Sequence, residues 1–62
     1  AEVADLLALA EVPDDVEVTV GETVGVRAPS HRAVEAGMFV QRLLALATAH
    51  GRALSAQVDV QP

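Results

Sequence analysis

V-E-V-T-V-G-E-T-V-G-V-R, residues 16 to 27, alternates twice around a glycine, and its reading settles how the middle of the chain folds. Val16, Val18 and Val20 alternate with Glu17 and Thr19, which is the period of a half-buried strand. Thr23 to Arg27 alternates again, with a turn at Gly21-Glu22. Parity decides the loop. A two-residue loop pairs Val20 with Thr23 and puts the two valine sets on opposite faces. A three-residue loop, Gly21-Glu22-Thr23, pairs Val20 with Val24 and Val18 with Val26, so that every valine shares one face. The odd loop is the expected one.

On the N-terminal side, Val3, Leu6, Leu7 and Ala10 recur at helical spacing until Val12-Pro13, predicting a short helix over roughly residues 2 to 11. Pro13-Asp14-Asp15 is turn chemistry. On the C-terminal side, Ala28-Pro29 leads into a long helix with Ser30 as its expected N-cap and Gly51 as its C′ residue. At about 20 residues it would run about 30 Å. L-S-A-Q-V-D-V, residues 54 to 60, alternates Leu54, Ala56, Val58 and Val60 against Ser55, Gln57 and Asp59, predicting a third strand. The expected fold is one small α+β domain over residues 1–62, in the order α-β-β-α-β. A right-handed crossover would lay the long helix on the apolar face of a three-stranded sheet.

That helix has two apolar surfaces. On a wheel, Phe39, Val40, Leu43, Leu44 and Leu46 form a wide side suited to covering the sheet. Val34, Met38 and Ala45 form a second strip, bounded by His31, Glu35 and Arg42 on one flank and by Gln41 and Thr48 on the other. Two readings of the strip stand. Either the first helix covers it, or it is a surface for a partner, with Ala33 and Gly37 allowing a neighbouring helix to approach closely.

Composition favours a partner. Sixty-two residues bury only about 60% of their unfolded surface. The chain has no cysteine, so disulfides and thiolate metal sites are excluded. Phe39 is the only aromatic residue in a chain that is 52% hydrophobic, mostly through Ala and Val, so its core is made of small side chains. The net charge is −5, with seven acids and no base in residues 1 to 22. An acidic chain without lysine or an aromatic platform is a poor match for nucleic acid. The most apolar run, Leu43 to Ala49, is far short of the roughly 20 residues a membrane span needs. No secretory signal opens the sequence, and a cytoplasmic location is expected. A start at Ala1 without Met suits a piece of something longer.

Residues capable of chemistry are few. His31 and His50 lie 19 positions apart, near opposite ends of one helix, and do not share a metal. Asp14-Asp15 is read as a solvated turn, because no further carboxylate set accompanies it. Ser30 beside His31 lacks a third member for nucleophilic catalysis. R-A-P-S-H-R, residues 27 to 32, is the one constellation suited to a ligand. Free backbone N–H groups at the helix start, with Arg27, Ser30 and Arg32 nearby, could hold an anion such as a flavin phosphate. The competing reading is that Ser30 only caps the helix and the arginines pair with the chain's acids.

The long helix also carries a family resemblance. E-A-G-M-F-V-Q-R-L-L-A-L-A-T-A-H-G, residues 35 to 51, resembles the A-G-x-x-x-Q-N-L-L-L-A-A-x-x-x-G helix of nitroreductase-type flavoenzymes, through Ala36, Gly37, Gln41, Leu43, Leu44, Ala47 and Gly51. Arg42 stands where that family usually has Asn, and R-A-P-S-H-R has one residue too many before Ser30 for the family's R-x-S-x-R phosphate motif. A complete nitroreductase subunit is much longer. In cyclodipeptide oxidases a similar flavin subunit works with a separate small subunit. The resemblance therefore implies a non-catalytic accessory subunit of a hetero-oligomeric flavin oxidoreductase. FMN would reach it through a larger partner subunit, with Arg27, Ser30, His31 and Arg32 as polar contacts and Val34, Met38 and Ala45 as apolar ones. The alternative is an interaction or adaptor domain, without enzymatic connection, that homo-oligomerises or binds a larger protein.

Overall fold

The computed structural model describes residues 2–62. It places helix α1 at Val3–Ala10, strand β1 at Glu17–Thr19, strand β2 at Val24–Pro29, helix α2 at Ala33–Ala49 and strand β3 at Ala56–Gln61. The sheet order is β1-β2-β3, antiparallel between β1 and β2 and parallel between β2 and β3. This is the expected α-β-β-α-β architecture.

The parity argument holds. Val18 pairs with Val26, with Glu17 opposite Arg27 and Thr19 opposite Gly25, so the hairpin has the odd register; Val20, expected beside Val24, lies outside β1 and is 54% exposed. Val24, Val26 and Ala28 of β2 are buried beneath the helices, while Glu17, Thr19 and Arg27 lie on the opposite, open face. β2 also runs two residues further than its alternation indicates, ending at Pro29. By position, the missing Pro29 N–H would point toward β1, which has no residue there to pair with it, so the proline breaks no ladder bond.

The start of the long helix differs from expectation. Ser30 does not cap it. Ser30–Arg32 forms a 3-10 turn, and the α-helical part begins at Ala33 with no side-chain cap at either junction. Pro29 holds an extended conformation (φ −69°, ψ 161°), so the chain enters the helix through a tight turn in which the Ala33 N–H donates to the Ser30 carbonyl. The α-helix proper is therefore 17 residues long.

Its end matches the reading of Gly51. Gly51 has φ +69°; the Arg52 N–H donates to the Ala47 carbonyl at 2.8 Å and the Gly51 N–H to Thr48 at 3.0 Å. These are the two bonds of a Schellman motif, with glycine at the left-handed position. Gly51→Ala is expected to cost about 1 kcal/mol, from the Cβ penalty of that conformation. A thermal melt would record it, and an unchanged midpoint would contradict this role.

The core is one cluster. Ala36, Phe39, Leu43 and Ala47 of α2 are fully buried with Val24, Val26 and Ala28 of β2, Leu6 and Ala10 of α1, and Val16. Val40 and Leu46 are only half-buried at its margin. Two alanines thus occupy the centre of the helix face. Small side chains there let α2 lie close to the sheet while Phe39 and Leu43 fill the remaining volume.

Candidate partner-docking surfaces

The side chain of Arg42 fixes α1. Its Nε donates to the Ala10 carbonyl at 3.1 Å and Nη2 to the Glu11 carbonyl at 3.4 Å. Two carbonyls at the end of α1 are thereby satisfied by a cation from α2. Glu11 itself takes the left-handed cap conformation, with φ 62°. Sequence reasoning assigned Arg42 only a place between two apolar strips. Its clamp role depends on where α1 folds back, which spacing along the helix does not report.

The clamp decides what α1 covers. At 100° per residue, Arg42 lies about 120° around α2 from Ala36, whereas Val34, Met38 and Ala45 lie about 160° to 200° away. α1 packs on the Arg42 flank, and the strip faces away from the core. Val34 is 71% exposed and Met38 55%, and Ala45 is exposed as well. Of the two readings of this strip, coverage by α1 is therefore not the one realised.

The R-A-P-S-H-R segment spreads over two surfaces. Arg27 lies on the open sheet face, opposite Glu17 on β1 and Asp59 on β3. With Thr19, Gly25, Val26 and Gln57 these residues line a depression of about 260 Å³. Arg32 turns instead toward Asp15, with Nε 3.8 Å from its carboxylate, and toward Glu35, with Nη1 4.0 Å away. Ser30 and His31 are exposed on the 3-10 turn between them. Each arginine thus has carboxylates on either side. At these distances the pairs are loose and Arg32 Nε has no hydrogen-bond partner, so an anion at Arg32 would compete with Asp15 and Glu35.

Asp15 adopts φ 64° in the Asp14-Asp15 turn, in keeping with turn chemistry. His50 sits at the far end of α2 from His31. Among the described residues no group of three or more His, Cys, Asp or Glu side chains could hold a metal ion. No helix among them is long and apolar enough to cross a membrane.

A second uncovered apolar region lies on β3. Val58 and Val60, read from their alternation as core-facing, are 42% and 43% exposed. They do lie on the helix side, beside Val26 and Ala28. β3 is an edge strand, however, and α2 spans both β2 and β3, leaving the outer part of that face uncovered.

No family model matches this sequence, and neither a curated protein nor a solved structure matches it significantly.

Proposed function

We propose that this chain is a small accessory subunit of a hetero-oligomeric, nitroreductase-like flavin oxidoreductase, stabilising the assembly rather than performing its chemistry. The observation that carries this reading is the Val34-Met38-Ala45 strip, apolar and exposed on the face of α2 opposite the core. Apolar side chains grouped on one exposed face of so small a domain support an interaction site. The flavin connection rests on the resemblance of residues 35 to 51 to the nitroreductase helix. In this reading FMN is held by the larger subunit, and Arg27, Ser30, His31 and Arg32 approach it from outside.

A second reading drops the flavin and keeps the partner: an adaptor or homo-oligomeric domain. The carboxylates beside Arg27 and Arg32 favour it, because they leave little uncompensated positive charge for a phosphate.

Co-purification of the tagged chain from its native source separates the two. The first reading predicts a yellow complex containing a longer chain, lost from a Val34→Asp, Met38→Asp variant that keeps the wild-type circular dichroism. A colourless complex supports the second reading. A stable, colourless monomer contradicts both.

A further inference from the structure

β3 carries a free backbone edge whose geometry follows from a single hydrogen bond. The Val24 N–H donates to the Ser55 carbonyl at 2.9 Å, in a ladder that sets Val24 beside Ala56. In an extended strand the N–H and C=O of one residue point to the same side, and successive residues alternate. Ser55, Gln57, Asp59 and Gln61 therefore direct their backbone groups at β2. Ala56, Val58 and Val60 direct theirs away from the sheet. The same Val58 and Val60 present half-uncovered side chains on the helix face. No proline or lysine protects the edge between Ala56 and Gln61.

We propose that β3 pairs antiparallel with β3 of a second copy of this chain, about a two-fold axis through Val58, joining two three-stranded sheets into one of six. The occupant and the register follow from the side chains. Only outward-facing residues can bond across the axis, and an axis through Val58 sets all three, Ala56, Val58 and Val60, against Val60, Val58 and Ala56 of the copy. On the open face that register places Gln57 against Asp59 of the copy, an amide facing a carboxylate, and does so twice. Shifting the axis to residue 59 would oppose two aspartates, and a one-residue slip would break the bonding pattern. On the helix face, Val58 meets its own copy and Ala56 meets Val60.

The helices are compatible with this pair. α2 lies over β2 and β3, so its axis sits about 5 Å from the two-fold, one strand spacing. Two copies of α2 would then run side by side about 10 Å apart, a normal packing distance. The flank of α2 turned away from Arg42 and α1 carries Gly37, Val40 and Leu44. A methyl group at Gly37 would meet nothing within 4 Å, which leaves room for the second helix. The Val34-Met38-Ala45 strip stays outside this pair, open to a larger partner.

The chain has no cysteine, so single thiols report the register directly. Residues forming a hydrogen-bonded antiparallel pair have Cα atoms about 5.5 Å apart, within the span of a short bis-thiol cross-linker. With that reagent Val58→Cys is expected to give a covalent dimer, while Ala56→Cys and Val60→Cys cross-link only when mixed with each other. Light scattering should report twice the 6.4 kDa chain mass for the wild type and 6.4 kDa for Val58→Pro. The Val58 N–H faces away from β2, so that proline leaves the internal ladder whole, and unchanged circular dichroism would verify it. A wild type of 6.4 kDa overturns the proposal. So does a dimer that survives Val58→Pro but falls apart on Val34→Asp, Met38→Asp, which would place the second copy on the strip instead. A wild-type dimer that co-purifies with no larger chain would count against the accessory-subunit reading alone.

Discussion

Phe39→Ala is expected to lower the thermal midpoint by at least about 12 °C and to leave much of the chain unfolded under mild denaturant. Phe39 is the only aromatic side chain and is fully buried among Leu6, Leu43 and the β2 valines of the core cluster. Truncating such a residue typically costs about 3–5 kcal/mol. A domain of this length has roughly 3–9 kcal/mol in total. The alanines of the same cluster, Ala28, Ala36 and Ala47, have no side-chain length with which to fill a cavity. Far-UV circular dichroism is the suitable probe, since the chain has no tryptophan or tyrosine. A fall in midpoint below about 4 °C, equivalent to under 1 kcal/mol, would show that the core is not organised around this ring.

Leu6→Ala is expected to detach α1. The helix is 8 residues long, too short to persist in water without tertiary contacts. Only Leu6 and Ala10 of α1 are fully buried, and Ala10 contributes little area. The loss is expected to be about 2–5 kcal/mol. It should appear first as faster hydrogen exchange in residues 3 to 10, with β2 still protected, because only the small Ala10, the half-buried Val3 and Leu7 and the Arg42 clamp then hold α1. Leu9→Ala is the matched control: Leu9 is 60% exposed, and its truncation should change stability by less than about 0.5 kcal/mol. Equal effects of the two substitutions would mean that α1 packs on a different face.

The order and class of the fold were legible because local rules and global packing agree. The valine parity of residues 16 to 27 selected the odd hairpin register, and Gly51 marked the end of α2. The misreadings have local physical causes. Ser30 has the composition of a cap, but Pro29 delivers the chain in a geometry that closes a 3-10 turn first. Val58 and Val60 alternate as core residues do, yet alternation reports which face a side chain takes and not whether a helix reaches it. The strip on α2 was visible as an apolar stripe. Its exposure depended on Arg42 reaching the end of α1, a contact 32 positions apart. R-A-P-S-H-R was compact in sequence, but Arg27 follows the strand onto the open sheet face while Arg32 leaves by the turn toward Asp15. A strand-to-helix junction separates neighbours in this way, and spacing alone does not reveal it.

Thiol labelling of Met38→Cys offers the closest measurement of what the strip does. The chain has no other cysteine and Met38 is 55% exposed, so the free protein should react at the rate of an accessible thiol. In the complex isolated with a larger subunit, the same thiol should be protected, and dissociating the complex should restore its reactivity. Equal labelling rates in the free chain and in the complex would contradict docking through Val34, Met38 and Ala45.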